Sequence, residues 1–281
     1  MFCVNSPLIH NFHNMLEIIN YQFFQNALLV VLLSSITAGI VGTYIVIKRM
    51  SLISGSIAHT AFGGLGMSYF FGFNPLLGAI VFSLASAMGI ALVKKKSNNK
   101  IDTLLSFLWA TGMAIGLVFI FLTPGYATDL FTYLFGNILL VSNFDIGMIF
   151  LLDIIILAVV FLMFNSLLAV IFDEEYSETR NIPVTVVNVI LFALIALTVV
   201  ATIRVVGIVL MIAILTIPPA TAQLFRHTVK TIMITSFLIT LVSGIAGLFL
   251  SYYFNLVTGP IIVLIISAIY LGGIVLSKMR A

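Results

Sequence analysis

Long apolar runs separated by short polar breaks dominate the sequence from residue 24 onward. A helix needs about 20 mostly apolar residues to cross the hydrocarbon core of a bilayer. Nine runs meet or approach that length: 24–47, 52–71, 75–93, 102–122, 143–165, 183–201, 205–224, 231–252 and 259–277. Lipid offers no partner to backbone amides, and these runs lack the alternation of barrel strands, so each run predicts a transmembrane helix.

Two segments fall outside this pattern. Residues 1–22 hold no basic start before an apolar stretch, which argues against a cleaved signal peptide and predicts a short N-terminal segment before one transmembrane domain, 23–281. Segment 123–142 is broken by Pro124, Gly125 and Gly136. It predicts an outer-face loop with a short re-entrant or interfacial helix.

Composition excludes a soluble protein, because 62% of the residues are hydrophobic and only 7% are charged. The mean hydropathy is +1.27, and soluble chains carry about 25% charged residues. The net charge of +3 comes from scattered basic residues, which excludes a nucleic-acid surface. One cysteine, Cys3, excludes an intramolecular disulfide and a cysteine-based metal site.

The basic residues predict the orientation of the chain. When the spans alternate sides, a single basic residue, Arg204, falls on one face, and all the others outside the first 22 residues fall on the opposite face. By the positive-inside rule, the populated face is cytoplasmic, which places the C-terminus inside and the N-terminus outside. The residues of that face are Lys48, Arg49, Lys94, Lys95, Lys96, Lys100, Arg180, Arg226, Lys230, Lys278 and Arg280.

His59 lies deep in the second span among small residues. Two stripes at helical spacing, Gly55–His59–Gly63 and Ser56–Thr60–Gly64, predict close helix packing, with an imidazole on one of them. Ionisable groups at membrane depth are costly and mark ion pathways by default. His59 is therefore either a pathway residue or a packing histidine bonded to a neighbouring helix.

For four aspartates, as for His59, both a role in the metal pathway and a purely structural role are considered. Asp153 lies in mid-span, as a pathway residue or as a hydrogen-bonded packing residue. Asp102 opens the fourth span, where a carboxylate also caps a helix, and Asp129 lies in the outer loop, where it meets an incoming cation or is simply solvated. Asp145 matches a capping box with Ser142. The predicted metal pathway comprises His59, Asp153, Asp129 and Asp102.

The pair Pro218–Pro219 removes two backbone donors and predicts an interruption of the seventh span. Thr216 and Thr221 flank it, and their hydroxyls could tie down a structural kink. Such breaks survive at membrane depth where protein or a water cavity satisfies the freed carbonyls. Thr216, Pro218 and Pro219 are therefore predicted as a helix break in a pathway span, with a kink as the alternative.

The stretch FDEEYSETRNIP, residues 172–183, holds four of the nine acidic residues and predicts a docking surface for a soluble partner. The surrounding cytoplasmic segment is about 166–182. No GxxxxGK[ST] motif occurs in the sequence, so a separate chain must bind ATP if ATP drives this protein.

Several motifs resemble the membrane subunit of the zinc/manganese uptake family of ABC transporters. They are Lys48–Ile53 followed by the His59 segment, Asp102-Thr103 leading to GMAIG at Gly112–Gly116, LTPGY with YLFGNIL, and VGIVLMIAILTIPPATAQLF at Val206–Phe225. The resemblance implies a homodimer, an ATP-binding subunit docked on a coupling helix, and an extracytoplasmic protein that delivers the metal. It assigns the coupling role to Asp173, Glu174, Glu175, Tyr176 and Ser177.

The chain departs from this family at one position. Many members have an aspartate four residues before the histidine, where this chain has Gly55. Carboxylate ligands would then come from Asp153 or Asp129. A neutral imidazole suits zinc and related metals, so zinc is expected first, manganese second and iron third.

The sequence thus predicts an all-α integral membrane protein, a polytopic bundle of about nine helices in a prokaryotic plasma membrane. Its expected function is the permease of an ATP-driven importer of zinc or manganese. No catalysis is expected of it and no cofactor is expected on this chain, with ATP and magnesium on the partner. Two alternatives are a secondary transporter or channel not coupled to ATP, which would need more intramembrane carboxylates, and an intramembrane enzyme, for which no HExxH or nucleophile motif is present.

Overall fold

The structure, a computed structural model, describes residues 19–96, 101–123, 136 and 138–280. Throughout that part the regular secondary structure is helical. It comprises α1 (Gln22–Ile47), α2 (Ser51–Phe70), α3 (Pro75–Lys96), α4 (Ile101–Leu122), a 3-10 turn (Ile138–Leu140), α5 (Asn143–Phe172), α6 (Glu174–Thr179), α7 (Val184–Val206), α8 (Ile208–Gln223), α9 (Val229–Phe254) and α10 (Thr258–Arg280).

Nine of these helices coincide with the nine predicted spans, and the tenth, α6, has only six residues. By length and composition, seven could cross a membrane: α1, α3, α4, α5, α7, α9 and α10. The sequence explains why the other two, α2 and α8, do not meet these criteria. Serine, glycine, threonine and histidine dilute the apolar character of α2, and α8 has 16 residues, which is about 24 Å of helix.

The helices form two packed groups joined by α7. In one group, α2 lies between α3 and α4. In the other, α1 packs on α8, α9 and α5, while α10 covers α8 and α9. The helix α7 contacts α3, α5 and α2 and so joins the two groups. The residues that close the interior are mostly valine, isoleucine, leucine and alanine, as expected for helices that are apolar all round.

Glycines set the distance between α2 and α4. A Cβ added at Gly63 would lie 2.8 Å from the carbonyl oxygen of Gly112, and one at Gly66 would lie 2.4 Å from that of Gly116. Only hydrogen fits at these contacts, so the backbones approach as closely as small-residue motifs allow. The close packing predicted from the small residues of α2 is confirmed.

The predicted interruption at Pro218–Pro219 is wrong, because α8 runs through both prolines. The φ angle of proline is compatible with a helix, and only two hydrogen bonds are lost. The carbonyl freed by Pro219 belongs to Leu215 and packs against Gly42 of α1, where an added Cβ would lie 2.6 Å from that oxygen. The helix break lies instead at Gly207, between α7 and α8, with a φ of 80°.

The threonines beside the prolines bond within α8. Thr216 donates to the Ile212 carbonyl at 2.7 Å, and Thr221 donates to the Ile217 carbonyl at 2.8 Å. Neither hydroxyl reaches the carbonyls that the prolines free. Both hydroxyls are thus satisfied within their own helix, by a type of bond that often bends helices.

Two other boundaries differ from the sequence prediction. The helix α5 continues to Phe172, so residues 166–172 are part of a long helix and the separate segment begins at Asp173. In the predicted outer loop 123–142, residues 124–135 and 137 lie outside the described residues. The part that is described contains the 3-10 turn, followed by the capping box of α5.

Candidate metal pathway and coupling surface

His59 lies on α2 at the interface with α4 and is 9% exposed. Its imidazole stacks on the indole of Trp109, with 4.3 Å between ring centroids and 31° between planes. The Nδ1 atom is buried and has no hydrogen-bond partner among the residues that the structure describes. A buried imidazole nitrogen without a partner departs from the rule that buried polar groups are paired, and it keeps a lone pair or a proton available to a ligand.

The backbone around His59 is fixed by bonds between α2 and α4. Ser56 donates to the Leu105 carbonyl at 2.9 Å, and Thr60 donates to the Leu108 carbonyl at 3.4 Å. Gly112 lies directly against the His59 backbone, since a Cβ there would be 2.6 Å from the His59 oxygen. The imidazole therefore projects from one of the most tightly packed interfaces of the described chain.

Asp153 lies on α5 and is 2% exposed. In the described part of the chain, neither carboxylate oxygen has a hydrogen-bond partner. Thr37 of α1 lies beside it, but that hydroxyl donates to the carbonyls of Leu33 and Ser34, each at 3.3 Å. A buried acid of this kind is costly at membrane depth.

Of the predicted pathway residues that the structure describes, His59 and Asp153 are not brought together within one chain. His59 lies on α2 and Asp153 on α5, and these helices share no extended contact. Among the described residues, no cluster of three or more His, Cys, Asp or Glu side chains could hold a metal ion. Asp129 lies outside the described residues.

Asp102 is exposed in the first turn of α4. With Lys48, Arg49 and Lys94 it lines a cavity of about 330 Å³ at one end of the bundle. Asp145 has the structural role that the sequence predicted. Its amide donates to the Ser142 hydroxyl at 3.2 Å, and its carboxylate accepts from the Ser142 amide, which completes the capping box.

The helix α6 is tied to the ends of three longer helices by a group that we call the Glu174 cluster: Glu174, Lys48, Lys94 and Asn188. The Glu174 carboxylate accepts from Lys48 Nζ at 2.7 Å and forms a second ion pair with Lys94. Lys48 also donates to Asn188 Oδ1 at 2.6 Å, and Asn188 donates to Glu174 at 3.4 Å. Lys48 follows α1, Lys94 lies on α3 and Asn188 on α7.

Burial and charge both shift the ionisation of this cluster. Burial lowers the pKa of Lys48 to about 8, against the opposing effect of the Glu174 carboxylate. Burial by itself raises the pKa of Glu174, but the hydrogen bonds and charges of Lys48 and Lys94 outweigh it and hold that pKa below its usual value. The Glu174 carboxylate therefore lies between two lysine side chains that are only 8% and 14% exposed.

The five predicted coupling residues have different places on α6. Asp173 caps the helix, accepting from the Tyr176 amide at 2.9 Å. Glu174 turns inward, and Ser177 is buried and donates to the Asp173 carbonyl at 2.7 Å. Of the five, only Glu175 and Tyr176 combine an exposed position with a side chain free of a capping role.

Sequence reasoning missed several residues that the structure places at these two sites. Trp109 is separated from His59 by 50 positions, so no local pattern links the two residues. The one feature of the sequence that could have drawn attention to Trp109 is that it is the single tryptophan. Lys48 follows α1, Lys94 lies on α3 and Asn188 on α7, so no local pattern joins them. Exposed Glu178 lies on α6, and exposed Phe172 and Arg180 lie next to its two ends.

Comparison with known proteins covers almost the whole chain. Residues 20–277 match the ABC 3 transport family. An uncharacterized membrane protein of Synechocystis is 44% identical over 92% of both chains. The manganese transport system membrane protein MntC of Listeria monocytogenes is 32% identical over 90% of both chains. The solved structure of PsaBC from Streptococcus pneumoniae in complex with Fab has a TM-score of 0.84 at 32% identity, over 93% of this chain and 95% of that one.

Proposed function

The chain belongs to the ABC 3 transport family, as a permease of the metal-uptake type, and from this premise we propose that it forms the membrane pathway of an ATP-driven importer of a divalent transition metal. The observation that supports coupling to an ATP-binding subunit is the position of α6. This short helix is anchored on three transmembrane helices and has an exposed acidic face. A separate subunit binds ATP and magnesium, because the sequence has no P-loop.

His59 is the first pathway residue in this proposal. The burial of its Nδ1 atom without a partner supports it, and an imidazole is a good ligand for divalent transition metals. One protomer offers no cluster of three His, Cys, Asp or Glu side chains in its described part. The proposal therefore includes a second copy of the chain, with the pathway between the copies, and an extracytoplasmic protein that delivers the metal.

Two metals have separate support. The donor set favours zinc, because an imidazole with no carboxylate beside it is the ligand of a borderline rather than a hard ion. The names of two relatives favour manganese: MntC of Listeria monocytogenes, and the manganese import system permease protein ScaB of Streptococcus gordonii, which is 33% identical. Zinc stays the first candidate and manganese the second.

The deciding experiment is metal uptake into vesicles that hold this chain with its ATP-binding subunit and its binding protein. Zinc, manganese and iron are supplied in competition, with and without ATP. We expect uptake to require ATP and to fall in His59→Ala. The matched control is His227→Ala, since His227 is exposed in the turn between α8 and α9. Uptake that ignores ATP would support the alternative, a secondary transporter or channel.

The coupling part of the proposal has its own test. Because Glu174 points into the bundle, Glu174→Gln removes the charge that holds α6 without changing its outer face. We expect the ATP-binding subunit still to co-purify, and the number of metal ions moved per ATP hydrolysed to fall. Arg226→Gln, at an exposed position in the turn between α8 and α9, is the control for the loss of one charge outside the coupling helix. Equal ratios in Glu174→Gln and the parent chain would contradict this role.

A further inference from the structure

Trp109 occupies the space beside position 55. A Cβ added at Gly55 would lie 2.4 Å from Cζ3 and 3.0 Å from Cη2 of the indole. Real Cβ atoms essentially never approach other atoms that closely, and because the indole is a rigid ring system, its edge can move away only if the whole side chain rotates. A side chain at position 55 and the indole in its present place therefore exclude each other.

The same indole also holds the imidazole. The two rings stack with centroids 4.3 Å apart, and aromatic stacking of this kind stabilises one ring orientation. His59 is 9% exposed and its Nδ1 atom has no partner, so the indole is the feature of this structure that fixes the plane of the ring. A metal binds in that plane, through a ring nitrogen.

We propose that Trp109 is a specificity-determining residue of the metal pathway, through its stacking on His59 and its occupation of the space beside Gly55. This inference rests on the proposed function. By orienting the imidazole it strengthens a nitrogen ligand, and by filling the space at Gly55 it keeps an oxygen ligand from standing one helical turn away. Imidazole suits zinc, whereas carboxylates suit manganese, so the pair Gly55 and Trp109 favours zinc over manganese.

The helix α4 holds Trp109 against His59. It packs chiefly on α2, and close glycine contacts and two hydrogen bonds fix the two helices against each other. Trp109 is therefore a positioning residue for His59, and the metal itself contacts His59.

The first test needs no transport, because Trp109 is the only tryptophan of the chain. In the purified full-length chain in nanodiscs, the tryptophan emission spectrum reports on the neighbourhood of His59. We expect Gly55→Ala to shift the emission without metal, since the new methyl group displaces the indole. Gly89→Ala is the matched control, because a Cβ at Gly89 meets nothing within 4 Å.

The same emission is then followed during titration with zinc chloride and with manganese chloride. We expect zinc to change it saturably in the parent chain, with no change in His59→Ala. An unshifted Gly55→Ala spectrum, or a zinc response that is equal in His59→Ala, would overturn the proposed arrangement of Trp109 and His59.

The second test measures the ratio of zinc to manganese uptake in the vesicles with all subunits present. Residues that orient a metal ligand typically contribute about 10-fold to 100-fold in affinity or activity, so we expect Trp109→Ala to lower the ratio by about 10-fold. Trp109→Phe retains part of the stacking and should fall between the two. The double variant Trp109→Ala/Gly55→Asp should lower the ratio further, because a carboxylate then stands in the vacated space.

Phe107→Ala is the control for loss of an aromatic side chain from α4, since Phe107 is 59% exposed. If the parent chain imports metal with ATP and all Trp109 variants keep its ratio, the specificity role is wrong while the importer function stands. If the parent chain moves no metal with ATP, both proposals fall.

Discussion

At the scale of single residues, the ionisable groups of the bundle differ in what pairs them. Half-buried Glu174 has two lysine partners. Within the described residues, the ring of buried His59 has only an aromatic neighbour, and buried Asp153 has a threonine beside it that bonds elsewhere. A paired group contributes to the architecture of the fold. An unpaired group at membrane depth is costly, and such groups are retained where function needs them.

Asp153→Asn tests this reasoning with two measurements. The amide of asparagine keeps two buried polar atoms but cannot ionise, so it removes the cost of burying a charge, and we expect the variant to have a higher melting temperature in detergent. If Asp153 serves the pathway, ATP-dependent metal uptake falls in the same variant. A more stable variant with unchanged uptake would assign Asp153 to packing alone.

The lowered pKa of Lys48 makes the stability of the folded chain depend on pH in the alkaline range. Its pKa is about 8 in the folded chain and 10.5 in its ordinary state, so between these values the unfolded chain binds more protons at this residue. The stability contribution of Lys48 therefore rises as the pH rises through this window. The melting temperature of the parent chain should rise with pH relative to that of Lys48→Gln. A constant difference between the two would contradict the lowered pKa.

At the scale of elements, α2 shows how a weakly apolar helix is kept in a membrane bundle. Its glycines let α3 and α4 approach closely, and Ser56 and Thr60 bond the carbonyls of α4. The seam places His59 against Trp109 and leaves little freedom to either ring. Packing of small residues, rather than apolar area, holds α2 in place.

Gly112→Ala tests the tightness of this seam. A Cβ at Gly112 would lie 2.6 Å from the His59 carbonyl oxygen and 2.7 Å from the Thr60 Cα. Both neighbours are backbone atoms and cannot turn away, so we expect a loss of about 1–3 kcal/mol, measured as a lower melting temperature. Gly147→Ala on α5, where a Cβ meets nothing within 4 Å, should not lower it.

At the scale of the whole molecule, contacts between distant residues show which helix ends share a face. The Glu174 cluster joins the C-terminal ends of α1 and α3 with α6 and the start of α7. At the opposite end, Asn26 of α1 donates to Asn143 of α5 at 3.1 Å. The basic residues Lys48 and Lys94 thus lie on the same face as the proposed docking helix, as the alternation of spans requires.

Labelling from each side of the membrane tests which face is cytoplasmic. In a background with Cys3→Ser, which removes the single cysteine, Glu178→Cys lies on exposed α6 and Asn255→Cys lies in the exposed turn between α9 and α10. By the positive-inside rule, an impermeant maleimide should label position 178 only from the cytoplasmic side and position 255 only from outside. The opposite pattern would invert the orientation.

The sequence by itself determined the class of the protein, the nine long helices and the capping of α5. Each of these depends on local chemistry: the length of apolar runs against the bilayer thickness, and the spacing of Ser142 and Asp145. The sequence also located α6, because the acidic residues of the stretch 172–183 are contiguous and resemble the coupling segment of the family. The prediction at Pro218–Pro219 was wrong because a proline's local effect depends on what packs against the freed carbonyl, which here is Gly42.

Only the tertiary structure decided the partners of the buried polar groups. Trp109 meets His59 across two helices, and Glu174 meets Lys48 and Lys94 from two others. Pairs so far apart in sequence leave no periodic signal, since the register of one helix on another is set by which side chains interdigitate. That register turned Glu174 inward, left Glu175 outward, and placed the indole of Trp109 against Gly55 and His59.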